Sequence, residues 1–207
     1  MSIIKVDTIK DESGAKTLVE QSGSNFAWGA GVPKGSVIEQ FTSPCDGSAI
    51  TVQSGSYTTQ NVTAVQDLTV SWVALTGSEI AYTPPTGTQT VIYEFSFQFA
   101  YYDANPSTSF RILIGGTEVT NARRMISSNA TDANLEGAYE MKWAFHIGGT
   151  ASAAKGRFET WTSNKTILVQ GYEYSTGTEA SVHTTRFWEN GSTDQFAQPV
   201  IGITSLA

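Results

Sequence analysis

"TQTVIYEFSFQFAYY", residues 88–102, is the stretch on which the fold of this chain turns. Val91, Tyr93, Phe95, Phe97, Phe99 and Tyr101 occupy alternate positions, and Ile92, Glu94, Ser96, Gln98 and Ala100 stand between them. A period of two sends successive side chains to opposite faces of an extended backbone. One face is therefore aromatic and the other mixed, whereas a helix would scatter the rings around its axis. The spacing predicts a strand with its aromatic face on a core. Its length predicts a central strand, twisted or bent part-way.

The same pattern recurs on either side. In "SFRILIGGTEV", Phe110, Ile112 and Ile114 alternate, and Gly115-Gly116 supplies the positive φ values of a tight hairpin turn. "LEGAYEMKWAFHIGG" repeats the device, with Tyr139, Met141, Trp143, Phe145 and Ile147 on one face and Gly148-Gly149 at its end. Further strands are expected at "GSVIEQF", "AITVQ", "LTVSWVAL", "GRFETWT", "KTILVQGYEYST", "ASVHTTRFWEN" and "QPVIGITSLA". The apolar chain end (Val200, Ile201, Ile203, Leu206) is expected inside a sheet. "TNARRMISSNATDANLEG" reads as a loop on its Asn, Ser and Thr content. No segment has a helical period. About nine or ten antiparallel strands at this spacing predict an all-β, two-sheet sandwich, most simply a jelly roll.

Residues 1–33 differ from the rest of the chain. Ile3 to Ile9 reads as a strand, "DESGAK" as a polar turn and "TLVEQ" as a second extended piece, before the Gly-rich "SGSNFAWGAGVPKG". This region has too few apolar residues for its own core. It is expected to be an attachment or intertwining arm, with Ile3, Ile4, Val6, Ile9, Phe26 and Trp28 as its docking contacts, ahead of a body spanning 34–207.

Composition limits the function. Charged residues are 15% of the 207, below the roughly 25% usual for globular chains, and the net charge is −7. The 12 Lys and Arg are scattered, so the basic stripe that nucleic acid requires is missing and no such partner is expected. No apolar run approaches the roughly 20 residues of a membrane span, so insertion is not expected. The first residues do not read as a secretory leader, which predicts a protein made in a cytoplasm. The one cysteine, Cys45, rules out an intrachain disulfide and a thiolate cluster.

Catalytic chemistry finds little support. The two histidines, His146 and His183, lie on the non-aromatic faces of predicted strands, which reads as surface or interface. Cys45 precedes Asp46 in a turn, and the adjacent carboxylate blunts it as a nucleophile. Glu140, Glu159, Glu173, Glu179 and Glu189 are spread over the later strands, and spacing alone does not pair them as a glycosidase would. "YYDANPS" and "NATDANLEG" read as Asn/Asp-rich turns, short of the ligands a calcium loop needs. No catalytic residue, metal or cofactor is expected. Tyr172, Tyr174 and Trp188, near polar turns, are candidates for stacking on sugars, with core or subunit contacts as the alternative and preferred reading.

"IKVDTIKDESGAKTL" resembles the N-terminal stretch of virion fibre-like and appendage structural proteins of marine, cyanophage-type bacteriophages. "YTPPTGTQTVIYEFSFQF", "IGGTEVTNARR" and "HTTRFWENGSTDQFAQPVIGITSLA" are similar to the body of such proteins. The resemblance implies a virion location, a homotrimer, an N-terminal segment toward a tail adaptor, nozzle or capsid, and an outward knob like the tumour-necrosis-factor jelly roll. It implies a non-enzymatic tail-fibre role in adhesion to a host surface glycan or protein. A capsid decoration or head fibre is the alternative in that setting, and a short polysaccharide depolymerase is the alternative in another class. Unlike long tail fibres, the chain has no shaft repeat between residues 33 and 80.

Overall fold

The computed structural model describes residues 8–10, 13–14, 17–22, 25–28, 33–103, 107–127, 133–176, 179–186, 188–191 and 193–207. Ile3, Ile4 and Val6, and the side chains of Phe26 and Trp28, lie outside the described part. Three strands come first: β1 (Thr8–Lys10), β2 (Thr17–Ser22) and β3 (Asn25–Trp28). They pair in sequence as an antiparallel meander, with Ile9 opposite Val19 and Val19 opposite Trp28. Ile9 is exposed.

The body begins with β4 (Val37–Pro44), β5 (Ala49–Val52), β6 (Gly55–Thr58), β7 (Gln66–Asp67), β8 (Val73–Ala74) and β9 (Ile80–Tyr82). Next come β10 (Thr90–Asp103), β11 (Ser107–Ile114), β12 (Thr117–Glu118), β13 (Arg124–Ser127), β14 (Ala133–Ile147) and β15 (Arg157–Phe158). The chain closes with β16 (Lys165–Glu173), β17 (Glu179–Val182), β18 (Thr184–Thr185), β19 (Gln195–Phe196) and β20 (Val200–Leu206). The described residues contain single 3-10 turns and no α-helix.

The aromatic strand is central, as its pattern predicts. β10 pairs with β14 along its whole length, from Thr90↔His146 to Asp103↔Ala133. Its other edge is shared. β20 covers Thr90–Ser96 and β17 covers Phe99–Tyr102. Between them the His183 amide donates to the Gln98 carbonyl at 2.7 Å, so the ladder is continuous across the exchange of partners. β4 extends the sheet beyond β20, β7 extends it beyond β17, and β15 joins the far edge of β14 in parallel. The second sheet runs β11–β16 at its centre, with β12 and β13 on one flank and β8 and β9 on the other.

The two sheets face each other across the core. Val91, Tyr93, Phe95, Phe97, Phe99 and Tyr101 are all buried, as are Phe110, Ile112, Ile114, Ile167 and Val169 from the opposing sheet. Phe97 and Phe99 both reach Phe110, at ring-centroid distances of 5.5 and 5.8 Å. The protein is thus an all-β sandwich of antiparallel sheets, in keeping with a jelly roll. The chain end is built in: Ile201 and Ile203 are buried, and the Ala207 amide donates to Ser36.

Several local expectations change. "LTVSWVAL" does not make one strand. Leu68 donates to Ala180 in the first sheet, and Leu75 donates to Val169 in the second, so this stretch crosses between sheets and cannot alternate throughout. "GRFETWT" contributes only the two residues of β15. "ASVHTTRFWEN" breaks at His183, which adopts φ 64°. The expected loop 120–137 contains β13, because the free edge of β11 offers backbone partners that override local preference. Gly115-Gly116 does turn the β11–β12 hairpin, whereas Gly148-Gly149 leads into a 3-10 turn and the parallel β15.

Gly77 illustrates how tightly the body closes. Its φ is +86°, and a Cβ there would lie 2.8 Å from Val62 Cγ2 and 3.1 Å from Cys45 Cβ. Gly77→Ala is expected to lower stability by about 2 kcal/mol, through left-handed strain and overpacking. Urea unfolding measures this, and an unchanged midpoint would contradict the packing described.

Candidate functional site

The outward face of the second sheet gathers the side chains best suited to binding. Pairing places Ser109 opposite both Met125 and Tyr172, and Arg111 opposite Gln170, itself opposite Ala74. Partners across a ladder share a face, and these point away from the core. Trp72, just before β8, lies beside Tyr172 with ring centroids 5.3 Å apart and tilted by 41°. The Arg111 guanidinium sits 4.2 Å from the centre of the Trp72 ring. Tyr174, one step beyond β16, is 72% exposed, Met125 is 68% exposed and Trp72 is 37% exposed. The result is a ledge of rings with one face packed and another open to solvent.

A polar array holds Arg111 over the Trp72 ring. Arg111 Nε and Nη2 donate to Gln170 Oε1 at 2.8 and 2.6 Å, and Nη1 donates to Glu118 Oε2 at 3.0 Å. Arg123 Nε also donates to Glu118. Arg123, aided by Arg111, holds the Glu118 carboxyl below the usual carboxylate range. A carboxylate fixed as an anion by two guanidiniums is a poor general acid. Aromatic faces take apolar C–H surfaces, while planar amide, carboxylate and guanidinium groups match hydroxyls.

The sequence candidates distribute unevenly. Tyr172 and Tyr174 fall on this ledge. Trp188 does not join them: it is exposed on the 3-10 turn Trp188–Asn190, between β18 and β19. Trp72, Arg111 and Gln170 escaped the sequence reading. Trp72 keeps step with Leu68 and Val70, and a period-two reading sends it to a core face. Only the crossing of the chain between sheets turns it outward.

The other candidates divide between surface and interior. His146 is exposed, with Nδ1 3.3 Å from Thr90 Oγ1. His183 is fully buried, a correction to its expected surface position: the break between β17 and β18 turns its ring onto Phe95 and Phe97. Cys45 is buried and donates to the Gly77 carbonyl at 3.2 Å. Burial, with Asp46 adding, pushes its thiol up to about 12, far from a working nucleophile. Glu140, Glu159 and Glu189 are exposed, Glu173 is buried, and the side chain of Glu179 lies outside the described part. The two Asp-x-Asn stretches, expected as turns, are described in part and there are strand: Asp103 ends β10, and Ala133 and Asn134 open β14 opposite Asp103 and Tyr102.

A second feature is a polar cavity of about 350 Å³, lined by Asp67, Tyr102, Glu173, Ser181 and Asp194 among others. Asp67 accepts from Ser181 Oγ at 2.7 Å. Tyr102 donates to Glu136 and lies under the Arg186 guanidinium at 4.3 Å.

No family model matches the chain, and no curated protein does. Among solved structures, that of infectious bursal disease virus, Gx strain, is similar over 93% of this chain and 42% of the other, with 9% identity and a TM-score of 0.35. The chain therefore spans under half the length of that neighbour, and a likeness of this size carries no argument about fold or role.

Proposed function

We propose that this chain is a non-enzymatic virion structural protein of the tail-fibre type, which attaches through its N-terminal region and presents its β-sandwich for adhesion to the host surface. The observation that carries the reading is the ledge of Trp72, Tyr172 and Tyr174, braced by Arg111, Gln170 and Glu118, on the outward face of a rigid sheet. Its chemistry suits a surface saccharide, with rings against the sugar's C–H face and planar polar groups toward its hydroxyls. The resemblance of residues 4–18 and of the body segments to phage appendage proteins supplies the setting. The N-terminal meander shares no strand pairing with the body among the described residues, and Ile9 stands exposed on it, as suits a segment completed by another chain. Three copies would convert weak single contacts into avidity.

The test uses the labelled full-length protein on host cells. Saturable binding is expected, with no reducing sugar released from host polysaccharide. Trp72→Ala is expected to weaken binding by about tenfold or more, the usual cost of losing a central aromatic anchor. Folded Trp72→Ala protein that binds as the original does would overturn the reading, and so would released sugar.

A further inference from the structure

His183 is the one buried imidazole of the chain, and its surroundings suit only the neutral ring. Its exposure is 0%, and its ring meets Phe95 and Phe97 edge-on, at centroid distances of 6.2 and 6.3 Å. Neither ring nitrogen makes a hydrogen bond of ordinary geometry. The adjacent Thr184 hydroxyl is also buried without a partner. A protonated imidazole carries two N–H donors and a charge, and this pocket has little to receive either.

The residue also sits at a joint. It takes a left-handed conformation, φ 64°, where the chain leaves β17 and starts β18. Its amide donates to Gln98 of β10, and its carbonyl accepts from Ala197, just past β19. One residue thus ties the middle of the central strand to the β18–β19 ribbon, whose connecting segment carries the exposed Trp188.

We propose that His183 is an acid-sensitive latch: protonation of its ring releases the β17 to β19 segment from the edge of β10, while the β10–β14 pairing stays closed. This goes beyond the adhesion reading and does not depend on it. Burial lowers the ring from its ordinary 6.5 to about 4, with the Thr76 backbone opposing in part and no charged side chain contributing. The opened or unfolded chain therefore takes up the proton at a higher pH than the closed one. The closed state is at full strength above about pH 6.5 and weakens as pH falls toward 4.

The groups on the packed elements have other engagements. On β10, Tyr93 donates to the Ser78 carbonyl, and Glu94 pairs with Lys142 on the opposite face. Asp67 of β7 holds Ser181, Arg186 stacks on Tyr102, and Glu136 accepts from the Arg186 amide. Asp194 lines the cavity on the ribbon side, and Cys45, beneath Gly77, stays a thiol in acid.

Hydrogen exchange of the full-length protein, corrected for intrinsic rates, tests this between pH 7 and pH 4. Protection in 180–186 and 195–198 is expected to fall toward a limit of about 300-fold, the ratio set by a shift of 6.5 to about 4. Protection in 91–96, which β20 and β14 still cover, and in 139–145 is expected to persist. His183→Asn keeps a residue tolerant of left-handed backbone and is expected to remove the pH dependence, while Glu136→Gln is expected to keep it. Flat protection in the original protein, or unchanged pH dependence in His183→Asn, would overturn the proposal. Should His183→Asn fail to fold, an NMR titration of the original protein decides: a His183 ring that titrates near 6.5 while folded overturns the latch, and one near 4 sustains it.

Discussion

Phe99→Ala is expected to lower the stability of the body by about 3 to 5 kcal/mol, the cost of emptying a fully buried aromatic site. Phe99 is at 0% exposure on the strand that pairs along both edges. Its ring contacts Phe110 of the opposite sheet at 84° and Tyr139 of the neighbouring strand at 72°, both edge-on. Removing it takes away the transfer of the ring and leaves a hole that the paired backbones cannot close. Against a total stability of order 5 to 15 kcal/mol, the loss is a large share. Urea unfolding followed by tryptophan fluorescence measures it, with Phe99→Leu expected to cost less than half as much. A loss under about 1 kcal/mol for the alanine variant would mean that the sheets do not meet at this ring.

Glu39→Ala is expected to cost about 3 to 4 kcal/mol, from a different cause: it removes three charge-assisted hydrogen bonds from buried and half-buried donors. Glu39 is buried on β4 and receives three hydrogen bonds. They come from the Ser54 amide at 2.7 Å, the Ser54 hydroxyl at 2.6 Å and the Tyr82 phenol at 2.7 Å. Tyr82 also meets Ser205 Oγ at 2.7 Å, so the carboxylate ties the β5–β6 turn to β9 and β20. Burial raises the Tyr82 phenol far above its ordinary range, so it stays a neutral donor in any usual buffer. The Ser54 hydroxyl keeps Tyr57 and the Tyr82 phenol keeps Ser205, so the loss is that of three bonds to an ionised acceptor, each worth more than a neutral one, with the half-buried Ser54 amide left short of a partner. Glu39→Gln keeps the volume but aims an amide donor at other donors, and about half the loss is expected. Equal stability of Glu39→Ala and the original protein by thermal and urea unfolding would refute this account.

Both sites bear on what the sequence makes legible. The burial of Phe99 follows from the period of its own strand. The burial of Glu39 was also within reach: in "GSVIEQF" it keeps step with Phe41, and a half-buried strand sends both inward. The sequence does not supply the acceptor's partners, because Ser54 and Tyr82 come from other segments, and Tyr82's own second partner, Ser205, from the last strand. The candidate site divides in the same way. Tyr172 and Tyr174 were legible as rings sharing a face beside a turn, but that the face is outward, and that Trp72 from another segment completes the ledge, was not. Arg111 looked like an ordinary polar residue on an alternating strand. Its role emerges only when Gln170, Glu118 and Trp72 surround it.

By itself, then, the sequence determined that this is a β protein, where its long strands lie, and which face of β10, β11 and β14 is apolar. Those properties belong to the backbone's own two-residue repeat and need no partner. The tertiary structure alone decided three things: that 68–75 crosses between the sheets, that His183 turns into the core, and that β20 and β17 divide one edge of β10. Each depends on which distant segment supplies the next hydrogen bond. That choice is made by competition among sheet edges across the whole chain, and local pattern carries no record of the winner.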